Sequence, residues 1–122
     1  MFGYELQRRI AQANQGVEVY VCHPGASKTS LVKTNAPFIT RMLWAVLSRT
    51  PMVQSAEKGA FPEVMCATEE NLRPAAYYGP TGRMYWVGPV GECELEPFVK
   101  DPEIAARLWK ISEEKTGQPF HI

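Results

Sequence analysis

Between Gly16 and the Pro24-Gly25 pair the chain reads Val17-Glu18-Val19-Tyr20-Val21-Cys22, a run of β-branched and aromatic residues with a breaker at each end. Val17, Val19 and Val21 share one face, and Glu18, Tyr20 and Cys22 share the other, because side chains alternate along a strand. A strand so apolar on both faces suits a sheet covered on both sides, the parallel α/β arrangement, better than a hairpin with one wet face. Ala75 to Gly79 supplies a second short strand candidate. Two strands leave backbone donors and acceptors unpaired, so the pattern implies sheet partners beyond those found here. An unpaired edge also invites self-association.

Helical patterns surround these strands. Phe2, Leu6, Ile10 and Ala13 form an apolar stripe over Phe2 to Asn14, with Asn14 and Gly16 suited to its end. Only Met1 precedes that stripe, with no capping residue, so the helix is expected to begin before the sequence does, and Met1 is either a true start or an internal methionine of a longer protein. Pro37 can open a helix through Phe38, Ile39, Met42, Leu43, Val46 and Leu47, whose apolar arc is widened by Trp44. Ser55 is a plausible N-cap for a helix from Glu57 to about Glu70, against which Gly59 and Pro62 count. Asp101 as N-cap, Pro102 at the first helical position and Gly117 past the end bracket a last helix with Ile104, Leu108 and Ile111 on one face. The stretch from about 79 to 100, with Gly79, Gly82, Gly88, Gly91, Pro80, Pro89 and Pro97, is expected to be an ordered loop or lid. The inventory is four helices and two strands in one partial α/β domain spanning 1–122.

Composition narrows the function classes. Thirteen basic and thirteen acidic side chains cancel, and no predicted face clusters Lys and Arg, so nothing points to nucleic acid or anionic lipid. Cys22, Cys66 and Cys93 are odd in number, far apart and outside any CxxC spacing, which suits free thiols in a reducing, cytoplasmic setting and no metal site. The N-terminus has charges where a signal peptide needs an apolar run, and the apolar segment from Ala36 to Leu47 is short and broken by Arg41, so no transmembrane span is expected.

Three stretches, FGYELQRRI, VYVCHPGASKTSL and QSAEKGAFPEVMCATEENLRPAAYYGPTGRMYWVGP, together resemble the C-terminal region of short-chain dehydrogenases/reductases. The resemblance is to their retinol-dehydrogenase-like and protochlorophyllide-reductase-like members, and runs from Met1 nearly to Gly117. It implies the C-terminal portion of a Rossmann-type doubly wound parallel sheet with flanking helices, less than half of that domain. It implies further that the glycine-rich dinucleotide fingerprint and the catalytic YxxxK pair lie upstream of Met1, so no catalytic residue is expected in this chain. The family's Pro-Gly turn with a threonine downstream matches Pro24, Gly25 and Thr29, where the threonine hydroxyl holds the nicotinamide carboxamide of NADP or NAD. Independently of the resemblance, a loop at the end of a parallel strand is where open α/β sheets bind ligands, and Gly25 removes a side chain where backbone must approach one. On local sequence alone a plain strand-ending turn explains Pro24, Gly25, Ser27 and Thr29 equally well.

Other residues carry a sharp and a bland reading side by side. Tyr4 and Arg8 mimic a tyrosine-basic pair, but arginine stays protonated, and a surface tyrosine on a helix is far commoner. His23 has no carboxylate or second histidine placed to orient it, so a structural role is expected, and His121 belongs to the tail. Phe38, Met42, Trp44 and Leu47 are candidates for an apolar substrate entrance, within a lid region of about 30–55, or for core. Tyr85 and Trp86 are packing anchors or pocket rim. The parent activity the resemblance implies is hydride transfer between a nicotinamide cofactor and a small carbonyl or alcohol, with a tyrosine moving the proton and a lysine tuning it. Lacking those two groups, this chain is expected to be inactive alone. The alternative is a short non-catalytic α/β interaction module.

Overall fold

A computed structural model describes residues 1–29 and 36–120. The start of the expected lid, 30–35, and His121 lie outside the described residues. Among the described residues, four α-helices and three short strands follow in the order α1 (Phe2–Gln12), β1 (Val21–Cys22), α2 (Phe38–Leu47), α3 (Ala56–Thr68), β2 (Tyr77–Pro80), β3 (Val90–Glu92) and α4 (Pro102–Thr116). They divide between two compact units, one comprising 1–21, 72–76 and 94–122, the other 22–71 and 77–93.

The first unit is a helix pair. α4 begins as the sequence dictates: the Asp101 carboxylate accepts from the Glu103 and Ile104 N–H groups, Pro102 occupies the first turn, and Gly117 ends the helix in the left-handed region at φ 65°. Its inward stripe is narrower than the expected Ile104, Leu108 and Ile111, which stay 37–45% exposed; Ala105 and Trp109 are the buried residues. Trp109, 2% exposed, stacks on Phe2 of α1 at 4.5 Å, meets Phe120 edge-on at 5.6 Å, and lies under the Arg9 guanidinium at 4.5 Å. On α1, Glu5 is 1% exposed and is held by Arg8 through two hydrogen bonds of 2.7 and 2.8 Å and by Arg9 at 2.7 Å. These guanidiniums push the Glu5 carboxyl below its ordinary range, the Arg8 hydrogen bond first, against the opposing effect of burial.

Of the expected strand from Val17 to Cys22, only Val21–Cys22 pairs as one. The earlier peptides find other partners: the Val19 N–H donates to Gln7 Oε1 at 2.5 Å, and the Val19 carbonyl accepts from the Ala75 N–H at 2.9 Å. Ala75 sits at φ 57°, outside the β region, which moves the start of the second strand to Tyr77.

The second unit holds β2 and β3, antiparallel in the register Tyr78 to Glu92, Gly79 to Gly91 and Pro80 to Val90, and the strand order is β1-β2-β3. The Gly- and Pro-rich stretch thus contains a strand and a closed hairpin loop, whose base is tied where Thr81 N–H and Oγ1 both donate to the Pro89 carbonyl, at 2.8 and 3.0 Å. Inside that loop Met84 and Tyr85 take φ of 56° and 58°, a conformation that side chains rarely adopt. α3 starts on Ser55, whose Oγ accepts from the Lys58 N–H, and carries Pro62 in its interior, fully buried, so packing offsets its cost. Val53, Tyr78 and Cys93 form the apolar centre of this unit.

Candidate functional site

The Pro24-Gly25 turn follows β1 directly, and five interactions fix it. The Pro24 carbonyl accepts twice, from Ser27 Oγ and from Gln54 Nε2, both at 2.8 Å, and both side chains are 8% exposed. The two segments also pair through their backbones: Gln54 N–H donates to the Ala26 carbonyl at 2.8 Å and Lys28 N–H to the Gln54 carbonyl at 3.0 Å, making a parallel bridge between Ser27 and Gln54. On the other side, Ala26 N–H donates to the Trp86 carbonyl at 2.8 Å.

Gly25 is required here. At φ 62°, a Cβ on it would stand 2.3 Å from the Trp86 carbonyl oxygen and 2.7 Å from the Pro80 ring. Gly59, facing the turn from α3, is equally constrained, since a Cβ there would meet Ser27 Oγ at 2.2 Å.

His23 anchors the turn from below, in line with the structural role expected for it. Its ring stacks on Tyr77 at 4.8 Å, and Nδ1 accepts the Gly25 N–H at 3.2 Å, which places the proton of the neutral ring on Nε2, beside Cys93 Sγ at 3.8 Å. Gly79 lies so close beneath that a Cβ would fall 2.1 Å from Nε2. Burial pushes the His23 pKa down, so the neutral ring is the form this packing holds. Burial likewise raises the thiols of Cys22, Cys66 and Cys93, Cys66 to about 11, leaving them protonated and unreactive near neutrality. All three are free thiols, and among the described residues no group of His, Cys, Asp or Glu is placed to hold a metal.

Of the residues singled out in the sequence, Pro24 and Thr29 are exposed and Gly25 is half-buried, on one continuous turn. Phe38 and Met42 are exposed on α2, 77% and 57%, and Trp44 is half-buried. None of these six lines the open cavity of about 720 Å3 between α3 and the hairpin loop, whose walls include Val53, Gln54, Lys58, Phe61, Val87 and Pro89. Gln54 joins the two places, its amide on the turn and its flank in the cavity wall. Sequence reasoning missed Gln54 altogether, and its only local signal was its place next to the Ser55 cap. Tyr85 is 41% exposed, and Trp86 contributes its backbone carbonyl to the turn.

No family model matches the chain. Over 119 residues and 96% of its length it is 31% identical to human retinol dehydrogenase 12, and over 122 residues 32% identical to mouse retinol dehydrogenase 14. It spans 33% and 32% of those relatives' lengths. Its fold overlays 99% of the chain on 36% of a crystal structure of an uncharacterized protein from Mycobacterium paratuberculosis, with a TM-score of 0.68 at 26% identity. Four helices on a short sheet, matched this way, are part of a Rossmann-like α/β fold. Along nearly its whole length, then, the chain is similar to retinol dehydrogenases of the short-chain dehydrogenase/reductase family.

Proposed function

We propose that residues 1–122 are one partial domain, the C-terminal part of an NAD(P)-dependent short-chain oxidoreductase that moves a hydride between the nicotinamide ring and a small alcohol or carbonyl substrate. The observation that carries this reading is the Pro24-Gly25 turn: a strand-ending loop, glycine-cleared and cross-braced by Ser27 and Gln54, in a chain that aligns with retinol dehydrogenases over 96% of its length. A rigid turn of this kind fits the nicotinamide end of a dinucleotide, with Pro24 and Gly25 setting the backbone and the Thr29 hydroxyl holding the carboxamide. Phe38, Met42 and Trp44 would border the entrance for an apolar substrate, the class to which a retinoid belongs. The glycine-rich fingerprint and the YxxxK pair do not occur in this sequence, so the chain supplies cofactor-positioning and substrate-bordering groups and no acid or base. The reducing setting suggested by its free thiols favours the cytoplasm. A non-catalytic interaction module, or pairing of copies along a sheet edge, has no specific observation in its favour.

The test is a chimera in which this chain replaces the corresponding third of mouse retinol dehydrogenase 14, assayed with NADPH or NADH and an aldehyde. Turnover is expected from the chimera and none from the chain alone. Thr29→Ala in the chimera should raise the cofactor KM about tenfold, the worth of one hydrogen bond. A folded chimera without turnover, or turnover by the 122 residues alone, would reject the reading.

A further inference from the structure

The peptide joining Pro24 to Gly25 is gripped at both of its polar ends. Its carbonyl accepts from Ser27 Oγ and from Gln54 Nε2, each at 2.8 Å, and its N–H donates to His23 Nδ1 at 3.2 Å. A proline-glycine pair permits two orientations of that peptide, because glycine takes either sign of φ at little cost and turn types differ by this rotation. Here Gly25 takes φ 62°, and turning the peptide over would break all three hydrogen bonds together. The hydrogen bonds thus choose which way the turn points its backbone.

The three partners differ in reach. His23 and Ser27 are near neighbours of Pro24 in sequence and move with the turn. Gln54 comes from 30 residues downstream, immediately before the Ser55 cap of α3. Its backbone is pinned by Ala26 at 2.8 Å and by Lys28 at 3.0 Å, and its side chain, 8% exposed, reaches back to Pro24. Gly59, in the first turn of α3, lets the helix press on the same place, since a Cβ there would stand 2.8 Å from Ser27 Cβ. Ser27 alone already satisfies the Pro24 carbonyl. A second donor, on the other lone pair, adds direction and ties that direction to the start of α3. All of these residues lie in the unit formed by 22–71 and 77–93, so the clamp is complete within one compact body.

We propose that Gln54 is a positioning residue: by holding the Pro24 carbonyl it fixes the Pro24–Gly25 peptide on α3, and with it the seat of the nicotinamide end of the cofactor, which it does not touch. The inference rests on the oxidoreductase reading above. Two measurements test it. In the 122-residue chain, amide hydrogen exchange compares the unaltered protein with Gln54→Met, which keeps an unbranched, flexible side chain and loses the donor. Exchange at Gly25 and Ala26 should quicken about tenfold, the worth of one hydrogen bond, with the amides of α4 unchanged. In the chimera with mouse retinol dehydrogenase 14, Gln54→Met should raise the KM for NADPH about tenfold and lower kcat several-fold, leaving the KM for the aldehyde unchanged. Gln54→Glu, nearly the same in shape but unable to donate when ionised, should do at least as much. Should Gln54→Glu fail to fold, Gln54→Met alone decides. A residue that merely stabilised the fold would change the yield of active chimera and leave kcat per active site and both KM values as they are. A chimera without turnover rejects the oxidoreductase reading, and this inference with it. Turnover indifferent to the variants, or unchanged exchange at Gly25 and Ala26, rejects the inference alone.

Discussion

Helices α4 and α2 are both amphipathic, and they make opposite use of it. α4 sinks Trp109 to 2% exposure between Phe2, Phe120 and Arg9, while α2, with fewer charges and more large apolar side chains, buries none of its residues. An apolar stripe therefore tells that a helix has a face to cover and says nothing about whether the same chain covers it. For α4 the cover comes from α1, whose Glu5 is itself tied down by Arg8 and Arg9 so that a carboxylate can sit beside an aromatic cluster. For α2 the described residues supply no such cover.

The contrast is sharpest in large-to-small substitutions. Trp109→Ala should cost roughly 3–5 kcal/mol, since the indole is the centre of its unit and the cavity left behind cannot be filled by a stacked Phe2 and an edge-on Phe120. Leu43→Ala, at an exposed position on α2, should change stability by less than about 0.5 kcal/mol. Urea unfolding followed by circular dichroism measures both. Equal losses would mean that α2 is packed in solution, and would end the contrast between the two helices.

Glycines give a second, smaller test. Gly25 and Gly117 have nearly the same backbone, φ 62° and 65°, but a Cβ on Gly25 strikes the Trp86 carbonyl while one on Gly117 meets nothing within 4 Å. Gly117→Ala should therefore cost only the left-handed penalty, about 1 kcal/mol, and Gly25→Ala about 2–4 kcal/mol once crowding is added. In the chimera, Gly25→Ala should also remove cofactor binding, which Gly117→Ala leaves in place. Similar stability losses at both positions would show that the turn can relax and is not the rigid platform the proposed function needs. At the cap of α4, Asp101→Ala should cost about 1 kcal/mol, because two N–H groups lose their acceptor.

These positions also show how far the sequence alone could go. Asp101, Pro102, Gly117 and Ser55 announce helix ends through short-range chemistry, and the structure keeps every one of them. Strands were harder, because a strand is completed by its neighbours: Val17 to Tyr20 have the composition of one, but Val19 bonds Gln7 and Ala75 instead, and β3 lay hidden among glycines and prolines. The turn at Pro24-Gly25 was legible, yet its braces were not. Gln54 stands 30 residues downstream, and no local pattern marks a side chain whose partner is a distant carbonyl.

The smallest effect separates the two units by pH. Glu5 is held below its ordinary value of 4.5, so it stabilises the first unit above that pH and loses this contribution as acid titrates it through its lower folded pKa. His23 is also lowered, from 6.5, but as a base: the unfolded chain binds a proton there before the folded chain does, so stability in the second unit declines as pH falls below 6.5. Protonation at Nδ1 would in addition set an N–H against the Gly25 N–H that it now accepts. On acidification, amide exchange at Gly25 and in β2 should therefore quicken first, while α1 and α4 hold until the carboxylate range. His23→Gln, which cannot titrate, should remove the earlier step and leave the later one. If both units loosen together near pH 4, the neutral imidazole is not what holds the turn, and its bracing rests on Ser27 and Gln54 alone.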